Sequence, residues 1–127
     1  MDKTTNTINW FEIPALDIER SKKFYETVFN IKMETTEMLG CEMAFFPFEP
    51  GSGKLSGAII KGEQHKPSTE GSFVYLNANP SMDESLSKVE AAGGKILNPK
   101  TSLGDCHGFC AYIMDTEGNC VGIHSNE

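Results

Sequence analysis

The chain runs twice through one order of hydrophobic patterns, and this duplication constrains its fold more than any other feature. INWFEIPAL (8–16) reads as a strand, with Ile8, Trp10 and Glu12 on one face and Phe11 and Ile13 on the other. Asp17 is placed as the N-cap of a helix whose apolar stripe is Ile18, Phe24, Tyr25, Val28 and Phe29, with a gap at Ser21. Asn30 suits a left-handed helix stop. Three strand-like runs follow, KMETTEML, CEMAFFPF and KLSGAIIKG, the middle one closing on the turn EPGSG. GEQHKPSTEG (62–71) holds no apolar residue and reads as a linker. The order then repeats. SFVYLNA is a strand, and Ser81 with Glu84 fits a capping box. A stripe of Met82, Leu86, Val89 and Ala92 runs to a stop at Gly93-Gly94. KILNPKTSL, GFCAYIM and NCVGIHS are three more strands. Trp10 corresponds to Phe73 and Lys32 to Lys95, an offset of about 63 residues, or half the chain. The reading is a single α+β domain over 1–127. It is built from a first βαβββ unit at about 7–62, a linker at about 62–71 and a second unit at about 71–126.

A chain of 127 residues can bury roughly two thirds of its unfolded surface, enough for a core without covalent staples. Its formal charge of -7, with eleven scattered basic residues and no basic run longer than Lys22-Lys23, argues against nucleic acid or an anionic membrane as partner. MDKTTNTINW has no apolar stretch, so no signal peptide is expected, and no run of about 18 apolar residues predicts a membrane span. The expected location is the cytoplasm, where the four cysteines would be free thiols.

FEIPALDIERSKKFYETVF, the helix end KVEAAGGKI and the hairpin DTEGNCVGIHS, set in two βαβββ units, resemble the vicinal oxygen chelate superfamily of glyoxalase I, extradiol dioxygenases and bleomycin- and fosfomycin-resistance proteins. The resemblance spans nearly the whole chain. It implies two units whose strands curl into an open cup with helices outside, a small-molecule ligand inside the cup, and a homodimer. Metal-dependent members carry His, Gln or Glu ligands on the first and last strands of each unit. Here the first-strand positions fall at Trp10 and Phe73, and the position four residues past the turn glycine Gly118 falls at Gly122. LSGAIIKG, the last strand of the first unit, has neither His nor carboxylate. Indole, phenyl and a missing side chain cannot coordinate a divalent ion, so no metal or other cofactor is expected.

DTEG is predicted to form a turn ending in left-handed Gly118. Met114 then faces Cys120, Tyr112 faces Gly122 and Cys110 faces His124, all on the cup side, with Gly122 leaving space beneath Tyr112. Cys106, His107, Cys110, Cys120 and His124 lack zinc-ribbon spacing, and the thiols read as small apolar residues. A Cys110–His124 nucleophile and base would need an orienting group that the sequence does not supply. Glu12 points the same way as Trp10. Burial would make it a base useful near neutral pH, whereas a place on the rim or beside Lys61 would make it a structural carboxylate. His65 and His107 are expected in solvent.

Trp10, Glu12, Phe73, Tyr75, Tyr112, Gly122 and His124 are therefore the expected lining of an aromatic cup. The leading expectation is a glyoxalase-like protein that binds a small organic molecule without the inherited metal. The alternatives are a metal-free acid–base enzyme using Glu12 and His124, and a metal-dependent lyase or dioxygenase with ligands elsewhere.

Overall fold

The computed structural model describes residues 1–127. Strand β1 (Trp10–Pro14) leads into helix α1 (Ile18–Phe29). Asp17 caps it from an extended backbone, accepting the Arg20 N–H at 3.0 Å. Asn30 closes it at φ 52°, its own N–H reaching the Glu26 carbonyl. Both ends fall where the sequence placed them. Ser21 is buried along with Ile18, Phe24, Tyr25 and Val28, so it continues the stripe rather than interrupting it.

Strands β2 (Glu34–Met38), β3 (Cys41–Phe45) and β4 (Ser56–Lys61) complete the first sheet in the order β1-β4-β3-β2, with β1 parallel to β4. Only Leu39 and Gly40 join β2 to β3, at φ 53° and 77°. A two-residue hairpin with both φ positive favours Asn-Gly, and a leucine there is strained. Leu39 is 97% exposed and gives nothing back in packing. Leu39→Asn is therefore expected to stabilise the fold by about 0.5–1 kcal/mol, a rise of roughly 2–5 °C in a thermal melt. An unchanged or lower midpoint would count against this account of the turn.

The second unit repeats the design with β5 (Tyr75–Asn77), α2 (Met82–Val89), β6 (Lys95–Ser102), β7 (Phe109–Met114) and β8 (Cys120–Ser125), in the order β5-β8-β7-β6. Ser81 caps α2 by accepting from the Glu84 N–H, while the Glu84 carboxylate turns to Lys88 instead of back to the cap. Pro99 lies in β6, an edge strand with two register irregularities, where a missing N–H is tolerated.

The two units share one core within the chain. Ile13, Phe24, Tyr25, Val28 and Ile59 of the first cluster with Leu76, Met82, Val89, Ile113 and Ile123 of the second. A polar clasp joins them as well. The turn after β7 buries Asp115, Glu117 and Asn119. Asp115 Oδ1 accepts the N–H groups of Glu117 and Asn119, both at 2.9 Å, and its Oδ2 accepts the Tyr25 hydroxyl at 2.7 Å. Asn119 Nδ2 donates to the Pro14 carbonyl at 2.7 Å. Glu117 accepts the Leu16 and Asp17 N–H groups, each at 2.9 Å, and Arg20 binds it through Nε at 2.7 Å and Nη2 at 2.9 Å. The last turn of the second unit thus fastens the β1–α1 corner of the first.

Candidate functional site

Strand register decides which side chains share the face away from the helices. Glu12 pairs with Ala58, Phe45 with Ala58 and Met43 with Ile60, so these residues and Trp10 stand on one front face. The Trp10 ring meets Phe45 edge-on at 5.4 Å and Phe48 at 6.0 Å. Met43, Ala58 and Ile60 form a small second core beneath them, with Cys41 and Phe45 packed against it.

The polar segment after β4 does not simply lead away. Gly62 and His65 form an isolated bridge that turns it back, bringing His65 Nε2 to 3.2 Å from Glu12 Oε1. His65, expected in solvent, keeps only 28% of its side-chain exposure. The reason is the Glu12 carboxylate on the face together with Gly62, where a Cβ would lie 3.1 Å from His65 Nδ1. Glu12 keeps 35% and is paired with this imidazole rather than with Lys61.

On the second front face the hairpin register is the one expected: Met114 opposite Cys120, Tyr112 opposite Gly122, Cys110 opposite His124. Gly118 has φ 91°, and Asp115 N–H bonds the Asn119 carbonyl at 3.0 Å. The space over Gly122, however, is not open. Tyr75 on the parallel neighbour β5 lays its ring there, so that a Cβ at Gly122 would sit 2.6 Å from Tyr75 Cδ1. The glycine makes room for a ring, not for a void beneath Tyr112. The Tyr75 and Tyr112 hydroxyls lie 3.0 Å apart, and Phe73 packs on Tyr112 at 5.0 Å. The bond to Tyr112, followed by burial, pushes the Tyr75 hydroxyl up to about 12, so it remains a neutral donor or acceptor near neutral pH.

His124 sits at the far end of the hairpin with Nε2 2.8 Å from the His107 carbonyl, to which it donates. Cys110 is buried, Cys106 is exposed, and burial pushes the Cys120 thiol up. No three His, Cys, Asp or Glu side chains are grouped so as to hold a metal ion.

The expected lining thus falls into two groups. Trp10 and Glu12 stand on the first face, while Tyr75, Tyr112, Gly122 and His124 stand on the second, with Phe73, outside the strands, packed on Tyr112. Glu12 and Cys120 share a cleft of about 200 Å³ at the seam between the units. A larger cleft, about 830 Å³, lies between α1, β5 and the start of α2, against Phe11, Phe29, Phe46 and Ser85, and Phe73 and Tyr75 border it too. Sequence reasoning missed it because it followed the face of Trp10, and Phe11 points the other way.

Paired βαβββ units around a common core, with front faces left uncovered, define a glyoxalase-like fold. Residues 7–46 match the family model for the bleomycin resistance protein-like N-terminal region. A glyoxylase-like domain-containing protein of Didymella fabae is 29% identical over 119 residues, covering 91% of each chain. A glyoxalase/bleomycin resistance protein from Albidiferax ferrireducens superposes with a TM-score of 0.66 at 19% identity, over 96% of this chain and 100% of that one. Glyoxalase I from Zea mays superposes with a TM-score of 0.67 at 20% identity over 92% of this chain, which spans 45% of the maize chain. The chain is thus similar to bleomycin-resistance and glyoxalase-like proteins, in sequence over its first unit and in fold over nearly its whole length. No helix is long and apolar enough to cross a membrane.

Proposed function

We propose that this protein binds a small, flat organic molecule against its aromatic front faces, with no metal at the positions where metal-dependent superfamily members carry ligands. One observation supports both halves. Trp10 opens β1, Phe73 lies two residues before β5, and Gly122 lies under the Tyr75 ring. These groups offer a divalent ion no donor. They offer a planar ligand a wall instead, since Trp10, Phe73 and Tyr75 remain 37%, 47% and 49% exposed, and grouped exposed rings mark binding surfaces. The Tyr75–Tyr112 hydroxyl pair adds a polar contact to orient the ligand. Glu12 and His124 stand at the margins, each already hydrogen-bonded. The same proposal takes the working form as a homodimer without nucleic acid or membrane partners, to be checked by light scattering.

The single tryptophan lies on the proposed wall, so its emission reports occupancy directly. Bleomycin and anilinonaphthalene sulfonate are suitable probes. Saturable quenching is expected, weakened about tenfold by Phe48→Ala, whose ring packs on Trp10. Elemental analysis of untagged protein is expected to find no stoichiometric metal, and added zinc, nickel or manganese to leave the melting temperature unchanged. About one transition metal per chain would overturn the metal-free reading, and emission indifferent to both probes would overturn the binding wall. Turnover that falls in Glu12→Gln would favour an acid–base enzyme, for which the nearest imidazole is His65.

A further inference from the structure

Away from the aromatic wall of the second unit, Cys41 and His65 flank Gly62 on the first front face, His65 bonds Glu12, and the resting Cys41 thiol points to the Leu39 carbonyl at 3.9 Å. Cys41 opens β3 on the face that also carries Met43 and Phe45. A Cβ built on Gly62 would lie 2.6 Å from Cys41 Sγ and 3.1 Å from His65 Nδ1. The sulfur and the ring nitrogen therefore border the same methyl-sized space, which only a glycine leaves free. His65 Nδ1 is buried and has no hydrogen-bond partner. The other ring nitrogen, Nε2, faces the Glu12 carboxylate at 3.2 Å. A carboxylate can only accept, so Nε2 carries a proton. In the neutral imidazole that leaves Nδ1 as a bare acceptor on the side of the sulfur.

We propose that Cys41, His65 and Glu12 form a reactive-thiol site that adds to flat, soft carbon electrophiles of the α,β-unsaturated carbonyl class. Cys41 is the nucleophile, His65 the base, and Glu12 the positioning residue that sets the tautomer. The S–H proton passes to His65 Nδ1 as the sulfur lone pair forms an S–C bond at the β-carbon. The enolate so produced takes a proton at its α-carbon from the imidazolium. The sum is an addition, with no leaving group and no electron gained or lost. Trp10, Phe45 and Phe48 flank this face and supply an apolar bed for a planar electrophile. The site does not depend on the binding proposal, because its reaction is read at one sulfur.

The experiment is timed labelling of the folded protein with N-phenylmaleimide, resolved by peptide mass mapping over all four cysteines. Cys106 is exposed and serves as the internal standard. Cys41, although partly covered, is expected to label about tenfold faster than Cys106. His65→Ala should remove that advantage while leaving Cys106 unchanged, and added imidazole should restore it, which a purely structural role would not allow. Glu12→Gln should lower the Cys41 rate about threefold. Cys41 labelling no faster than Cys106, or at the same rate in His65→Ala, would overturn the site. An advantage lost in His65→Ala but indifferent to imidazole would overturn the role of His65 as base.

Discussion

Glu117→Ala is expected to cost about 3–5 kcal/mol of folding stability, because it strands two main-chain N–H groups and an arginine around a buried void. Burial alone would push this carboxyl up. Hydrogen bonds from Arg20, the Asp17 N–H, Thr116 and the Leu16 N–H overcome it and hold the group at about 2, against 4.5 for an ordinary glutamate. The unfolded chain then holds the proton more tightly than the folded one. The stabilisation is complete above about pH 4.5 and is lost as pH falls from there through about 2. The shift corresponds to about 3 kcal/mol. Urea melts of the natural chain and of Glu117→Gln should differ most at neutral pH and converge toward pH 2. A gap that stays constant across that window would rule out the linkage. Arg20→Ala should cost less, since half of its side chain already lies in water.

Gly94→Ala is the second substitution with a large expected cost, about 2–3 kcal/mol or roughly 10 °C in thermal midpoint. The added Cβ would lie 2.5 Å from the Met114 carbonyl oxygen and 2.6 Å from Phe24 Cε1. Neither can yield cheaply: one is main chain in β7, the other a ring 1% exposed at the centre of the core. The usual gain of about 0.4–1 kcal/mol from stiffening the unfolded chain is too small to offset this. A melt at or above that of the natural chain would show that β7 and Phe24 give way.

These two sites also mark how far the sequence could be read. The repeat, the caps at Asp17, Asn30 and Ser81, and the facing pairs of the last hairpin were all legible. Each depends on neighbours a few residues away, where period and turn chemistry carry the information. Gly93-Gly94 was read as the point where the second helix stops, but α2 ends at Val89 and a turn covers the residues between, and the requirement at Gly94 comes from the Met114 carbonyl and from Phe24 in the other unit. DTEG was read as a turn, whereas its charged residues are buried because their partners lie 90 to 101 positions earlier. No local pattern distinguishes a buried Glu117 from a solvated one. Trp10, Glu12 and Tyr112 were placed on the correct strands and faces, since alternation is local. That Tyr75 fills the space over Gly122, and that His65 folds back to Glu12, depends on how neighbouring segments meet in space.

The clasp has a consequence for the order of events in synthesis. The Leu16 and Asp17 amides are completed by a residue about a hundred positions further along the chain. At a translation rate of roughly 5–20 residues per second, the first unit waits about 5–20 seconds for its last partner to be made. During that interval its corner is satisfied only by water, and Tyr25 lacks its Asp115 acceptor. The β1–α1 corner therefore emerges unclasped, and synthesis of the segment around Glu117 decides when it can close.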